Sequence, residues 1–334
     1  MNKTATGSHA IPAAPSKLAK AIVLGGTGYT GQEVIGLLAR HPGIELATAT
    51  SESEAGARIG GTSLRYQPIG EVDLEGADVV FSCLPHGESG DWTRRAASAG
   101  AVAIDLSSDL RGPDSGATYG LPELWRSQVR EARLIANPGC YPTGVLLGLA
   151  PAVTAGLVDR TKAIVIDAAS GVTGAGRSAK RDLLFGEVAE DYRAYGVGNL
   201  HRHVPEMRVG LNRLSGIKQQ FVFTPHLLPV RRGILETIYL PLTQRLSLAD
   251  AASIWSEFYA GEPFIEITGA ELPSLRAVTG SNRVAFGFSM VEGVESPLLI
   301  VVAAFDNLVK GAAGQALQNA NLALGYAETA GLIA

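Results

Sequence analysis

Cysteine is scarce in this chain. Cys83 and Cys140 are the only two in 334 residues. That is too few for a disulfide framework, so a reducing cytoplasm is the expected compartment. Long apolar runs are missing too: the longest, PLLIVVAAF at 297–305, is strand-sized. It falls far short of the ~20 residues that span a bilayer, so no membrane partner is expected. No lysine or arginine run exceeds two residues, and the net charge is −4, which argues against nucleic acid as the main partner. The opening MNKTATGSHAIPAAPS lacks both the apolar core of a secretory signal and the arginines of a transit peptide. Residues 1–16 therefore read as a disordered tail.

What is there is apolar and rich in glycine, with 46% hydrophobic residues and 40 glycines. This fits an α/β chain full of tight strand-to-helix turns and long enough for two domains. The first half alternates short strands (21–25, 44–50, 78–84, 101–107, 132–139) with helical patterns. In 31–43, for instance, Val34, Ile35, Leu37 and Leu38 form a stripe that Pro42 and Gly43 should stop. Such alternation implies a parallel sheet covered on both faces. After Cys140 the texture changes. A helix at 143–156 is followed by longer strands at 162–170, 219–230, 233–242, 283–291 and 297–305, with an amphipathic helix at 247–261 N-capped by Ser247. The last apolar-faced helix spans 310–326. The fold class read here is α/β: a Rossmann-type dinucleotide domain plus an α+β domain with a mixed sheet.

Between the first strand and helix lies GGTGYTG, in which Gly25, Gly28 and Gly31 recur every third residue. Side chains are absent where the backbone turns sharply and where N–H groups approach a pyrophosphate, and the helix N-terminus supplies partial positive charge. The bland alternative is a tight turn without ligand, but the placement after a strand and before a helix favours a dinucleotide. The second strand runs into TSESEAGAR. Ser51 and Ser53 can donate to a 2′-phosphate and Arg58 adds charge, whereas Glu52 can face a ribose. The balance favours NADP(H). No metal is expected.

NPGCYPTG at 137–144 puts Cys140 at the mouth of a helix, with Pro142 where proline is tolerated. A helix N-terminus lowers a thiol's pKa, so this reads as an activated nucleophile. Cys83, inside a strand in DVVFSCLP, reads as core. A thiolate beside a nicotinamide points to attack on an activated acyl carbon, with hydride exchanged at the resulting adduct. A proton shuttle is then needed, and HRHVPEM at 201–207 offers His201 and His203. If the segment is extended, they alternate in direction and one faces the sulfur. Glu206 can orient an imidazole or contact a substrate amide. His9 and His41 read as solvated; His86 and His226 stay open.

GGTGYTGQEVIGLLARHP, LPHG (84–87), DLSSDLR (105–111), YGLPEL (119–124), NPGCYPTG, SGVTGAGR (170–177), HRHVPE, TPHLLPVRRGI (224–234) and DNLVKGAAGQALQN (306–319) stand in an order that resembles the N-acetyl-gamma-glutamyl-phosphate reductases of arginine biosynthesis. The likeness runs from about residue 18 to 326; Leu110 stands in place of an expected phenylalanine, and 279–288 fits loosely. The resemblance implies NADPH-dependent reduction of N-acetyl-glutamyl 5-phosphate to the semialdehyde through a thioester on Cys140, with phosphate released. His203 or His201 is implied as acid/base. Arg111, Arg177, Arg202 and Glu206 are implied for the substrate. Along the cofactor it implies Gly25, Thr27, Gly28, Tyr29, Thr30, Gly31, Ser51, Ser53, Leu84, Pro85 and His86, with Ser170, Gly171 and Asn307 near the nicotinamide. It also implies a split NADP-binding domain (17–140 and 310–334) around a catalytic and oligomerisation domain (141–309). The partners implied are a small-molecule substrate and further copies of the chain, as a dimer or tetramer.

Three rivals remain at this level. An aspartate-semialdehyde dehydrogenase shares the chemistry, but HRHVPE and TPHLLPVRRGI favour the acetylglutamyl reading. An aminoadipyl-phosphate reductase differs by one carbon in its substrate. An inactive NADP-binding sensor would have no use for Cys140 beside two histidines.

Overall fold

The structure, a computed structural model, describes residues 17–216 and 218–333. The expected tail, 1–16, lies outside them. Six strands form the first sheet: β1 (Ala19–Leu24), β2 (Ile44–Ala49), β3 (Val79–Ser82), β4 (Val102–Asp105), β5 (Thr118–Tyr119) and β6 (Leu134–Ala136). All pair in parallel, in the order β2-β1-β3-β4-β6-β5. Its strands read as continuous apolar runs because both faces are covered. Ala21 and Val23 pack with Val34 and Leu37 of the helix Tyr29–Leu38 and with Ala316, Leu317 and Ala320 of the helix Gly314–Leu324. Ile22 and Leu24 point the other way, to Ala96 of the helix Ser89–Ser98.

The second sheet is mixed. Its strands are β7 (Ile164–Gly171), β8 (Arg193–Ala194), β9 (Phe221–Leu228), β10 (Ile234–Pro241), β11 (Ile265–Gly269), β12 (Val284–Met290) and β13 (Leu298–Phe305), in the order β11-β12-β13-β10-β7-β9-β8. Burial alternates residue by residue along β7, β9 and β10, so one face packs and the other is half-exposed. The packed face holds the helices Cys140–Thr154, Val204–Ser215 and Leu248–Phe258. Trp255 is fully buried there and donates its indole N–H to Gly148 O at 3.1 Å. Ser247 caps its helix, taking the N–H of Asp250 in a capping box. Among the described residues no helix is long and apolar enough to cross a membrane.

The sequence reading needs correction in several places. The first helix ends at Leu38, with Ala39 as cap, before Pro42 is reached. His41 is not solvated. It is buried, its Nδ1 accepting the N–H groups of Gly43 (3.0 Å) and Ile44 (2.8 Å) and its Nε2 meeting Asn321 Oδ1 at 2.9 Å. Cys83 lies one residue past the end of β3 and is half-buried. HRHVPEM is not extended: it turns into the helix Val204–Ser215, with His203 as N-cap. The last helix begins with a π-helical turn, Val309–Ala313.

Candidate active site

In the first sheet the chain leaves β1 toward β2 on one side and reaches β3 on the other. The crevice at the carboxyl ends of β1 and β3 is thus the topological switch point where such sheets bind ligands. A cavity of about 480 Å³ opens there, lined by Gly28, Tyr29 and Thr30 after β1 and by Leu84, Pro85 and His86 after β3. The glycines are required sterically. Gly25 has φ +77°, and a Cβ on it would lie 2.8 Å from Cys83 O; one on Gly31 would lie 2.4 Å from Gly25 O. Gly28 caps the helix, and no acidic residue occupies the first turn to oppose an anion.

Hydroxyls gather at the far end of this turn: Thr27 Oγ1 lies 3.0 Å from Ser51 Oγ, itself 3.4 Å from Ser53 Oγ. Glu52 is turned aside, its Oε1 accepting Ile69 N–H at 2.7 Å. Arg177 donates to Thr27 O at 2.7 Å and pairs with Glu54 at 3.0 Å. Expected among the substrate contacts, it lies here against the dinucleotide turn, on the wall of the dinucleotide cavity. It belongs to the dinucleotide turn, because the loop after β7 crosses back over the first sheet. A cradle free of Cβ atoms, a helix N-terminus, hydroxyls and a cation together fit a phosphorylated dinucleotide.

Cys140 opens the helix Cys140–Thr154 behind an extended Gly139 (φ −66°, ψ 153°). That glycine is held from outside. Its N–H donates to Glu206 Oε1 at 2.8 Å; the same oxygen accepts Tyr119 O–H at 2.7 Å, and Oε2 pairs with Arg111 Nη1 at 3.1 Å. Arg111 spends Nε on Asn137 O (2.8 Å) and Nη2 on Leu106 O (3.1 Å). The polar atoms of Glu206 and Arg111 are thereby committed to bracing the NPGC turn, although Arg111 still edges the dinucleotide cavity. Both side chains are buried, and breaking such a pair typically costs about 3–5 kcal/mol.

A second cavity, of about 380 Å³, is lined by Tyr141, Ser170, Gly171, Lys180, Tyr195 and His201. Cys140, His203 and Arg202 line both cavities, so the sulfur stands where they meet. His203 is 3% exposed. A Cβ on Gly139 would lie 2.7 Å from its Nε2, so the ring abuts the turn that carries the cysteine. His201 sits 4.9 Å from it, ring to ring, caged by Tyr141, Tyr195 and Phe223. Both rings therefore share the site instead of alternating away from it. His203 N–H donates to His201 Nδ1 at 3.2 Å. Arg202 contacts His86 Nε2, while His86 Nδ1 accepts Ser108 N–H at 3.0 Å.

The electrostatics overturn one expectation. Burial pushes the Cys140 thiol up to about 11, and the pull of Arg202, the Tyr141 N–H and Arg111 does not offset it. At that value the group is a thiol near pH 7. Burial, aided by Arg111, His201 and Arg202, holds His203 well below the usual imidazole range, and burial with Arg202 lowers His201 to about 4. Both rings are neutral near pH 7. Burial also drives the Cys83 thiol up.

Asn307 borders the dinucleotide cavity, but its amide is engaged: Oδ1 accepts Gly233 N–H at 2.7 Å and Nδ2 donates to Thr173 at 3.0 Å. Ser170 is buried and donates to Gly171 O. The sequence reading missed Lys180, which lines both cavities, and the Tyr141–Tyr195 hydroxyl contact at 3.0 Å. Lys180 lies three residues past SGVTGAGR. The tyrosine pair joins residues 54 apart, which no local pattern signals.

The family "Semialdehyde dehydrogenase, NAD binding domain" matches residues 20–132, and "Semialdehyde dehydrogenase, dimerisation domain" matches residues 140–307. The N-acetyl-gamma-glutamyl-phosphate reductase of Citrifermentans bemidjiense is 42% identical over 94% of this chain and 97% of its own. That of Acidithiobacillus ferrooxidans is 42% identical over 94% and 98%. Among solved structures, aspartate semialdehyde dehydrogenase II of Vibrio cholerae, complexed with ASA, aligns with TM-score 0.75 at 22% identity, covering 93% of this chain and 99% of that one. The Candida albicans enzyme with NADP gives 0.69 at 20% identity, covering 92% and 99%. At that identity the likeness is one of fold.

Proposed function

The chain belongs to the N-acetyl-gamma-glutamyl-phosphate reductases, and from that membership we propose how its residues carry out the reduction of N-acetyl-L-glutamyl 5-phosphate to the 5-semialdehyde. One observation carries the reading: Cys140 stands where a dinucleotide cavity meets a second, polar cavity, with the neutral His203 against its turn. Gly25, Thr27, Gly28, Tyr29, Thr30 and Gly31 would hold the NADP(H) pyrophosphate, and Ser51, Ser53 and Arg177 its 2′-phosphate. Leu84, Pro85, Gly171 and Asn307 would form the walls. When bound, the cofactor supplies the hydride that reduces the acyl carbon.

The protein's part is proton handling and placement. His203, neutral and facing the NPGC turn, accepts the thiol proton of Cys140. The sulfur forms its bond to the acyl carbon as the bond to phosphate breaks, and phosphate leaves with the electron pair. The imidazolium then returns its proton to the sulfur when the aldehyde departs. A raised thiol pKa is compatible with this sequence, because the proton moves to the adjacent base at the moment of attack. His201, Tyr141, Tyr195 and Lys180 shape the substrate end, and Arg202 spans both cavities where an anionic leaving group must pass. Glu206 and Arg111 act as positioning residues for Gly139.

The proposed partition is a cofactor unit of residues 17–140 and 310–334 around a catalytic unit of 141–309. The half-exposed face of the second sheet is the proposed self-association surface, giving a dimer or tetramer in the cytoplasm. Steady-state turnover tests the substrate assignment. With NADPH, N-acetylglutamyl phosphate should outrun aspartyl phosphate and acetylaminoadipyl phosphate; preference for either of the others would overturn it.

A further inference from the structure

Glu236 lies outside the machinery described so far. It is on β10, on the face shared with Ile234, Ile238 and Leu240, and is fully buried. Neither carboxyl oxygen has a hydrogen-bond partner among the described residues. Its register neighbours are Ala168 on β7 and Ala303 on β13, which offer no charge. An unpaired carboxylate in such a place is far costlier than the neutral acid, and burial holds the group well above the usual carboxylate range.

The helix of the nucleophile makes room for this carboxyl. Cys140, Gly144 and Gly148 recur every fourth residue and so share one helix face. A Cβ on Gly144 would lie 2.3 Å from Glu236 Oε2 and 2.4 Å from Phe305; one on Gly148 would lie 2.9 Å from Ile238 Cδ1. The two glycines let the helix settle on β10 with the Glu236 carboxyl against its first turns. Neighbouring Cβ positions on one face are about 5–6 Å apart, so the carboxyl lies one helical turn beneath the Cys140 side chain. Around the sulfur, Arg202 and Arg111 favour its negative form, whereas a charged Glu236 would oppose it. Tyr141 and Tyr195 also interact with Cys140, and His203 and His201, both neutral, and Lys180 line the same cavity.

We propose that Glu236 is a positioning residue for the nucleophile: a buried neutral acid whose otherwise unclaimed O–H favours the charged form of Cys140. This rests on Cys140 being the nucleophile. The test follows alkylation of Cys140 by iodoacetamide in the full chain at pH 8, read on the Cys140 peptide by mass spectrometry so that Cys83 is counted separately. Wild type is compared with Glu236→Gln, which keeps a donor, and Glu236→Met, which fills the space without one. Glu236→Gln should react at the wild-type rate. Glu236→Met should react about tenfold more slowly, equivalent to one pKa unit, with NADPH affinity unchanged. An unchanged rate in Glu236→Met would reduce Glu236 to packing. Faster alkylation in Glu236→Gln would mean a charged carboxylate that opposes the thiolate and would overturn the proposal; Glu236→Leu supplies the donor-free comparison if Glu236→Met fails to fold. Alkylation needs no substrate, so an error in the substrate assignment leaves this result standing.

Discussion

At the scale of single residues, the site is defined by what is kept uncharged. Cys140 and its two histidine neighbours are all neutral near pH 7, and the positive charges that both cavities share are those of Arg202 and Lys180. His203→Asn should lower kcat by about 10²–10⁴-fold with a near-normal KM, the range typical of lost general acid–base catalysis. His201→Asn, lying against the tyrosines of the substrate end, should mainly raise KM. Steady-state kinetics on the two variants decides between these roles, and the reverse pattern would exchange them. Cys140 was legible in the sequence because helix-start chemistry is local. Its raised pKa was not, since that comes from burial by elements distant in sequence. The positions of Arg111 and Glu206 were legible as a motif, but their use was not: they lie 95 positions apart and meet at 3.1 Å.

At the scale of elements, the connection after the first helix carries a pH dependence. His41 is buried, and that burial lowers its pKa despite the contact with Asn321. The unfolded chain therefore takes up a proton first, near the ordinary value of about 6.5. Stability from this histidine is complete above that pH and is lost as the pH falls toward the lower folded value. Melting temperature should fall between pH 7 and pH 5 in wild type, and that slope should be shallower in His41→Gln. Equal slopes would remove His41 from the acid response. The sequence hid this because it shows Pro42 and Gly43 as stop signals but not Asn321, 280 positions on, as the partner. Strands were legible where they are long and apolar. β5 and β8, two residues each, fall below any periodic signal. HRHVPEM misled for a related reason: Pro205 at the first turn of a helix looks the same in sequence as a proline in a loop.

At the scale of the whole molecule, two sheets built on different rules both contribute to the surroundings of one sulfur. The parallel sheet supplies the crevice for the dinucleotide, and the mixed sheet supports the helix whose first residue is Cys140. That division was readable from strand length and spacing alone. With Thr27, Ser51, Ser53 and Arg177 gathered at one end of the crevice and Glu52 turned toward Ile69, NADPH should exceed NADH at least tenfold in kcat/KM, about 1.4 kcal/mol. Equal efficiencies would mean that the hydroxyl cluster does not meet a 2′-phosphate.

A single-turnover experiment without cofactor isolates the step assigned to Cys140. Wild-type protein mixed with N-acetylglutamyl phosphate, with no NADPH present, should release phosphate in a burst matching the enzyme concentration. Mass spectrometry should find the acetylglutamyl group on the Cys140 peptide. Cys140→Ser should show neither, while still binding NADPH. An unmodified Cys140 peptide, with phosphate released only once NADPH is added, would contradict a thioester on this residue.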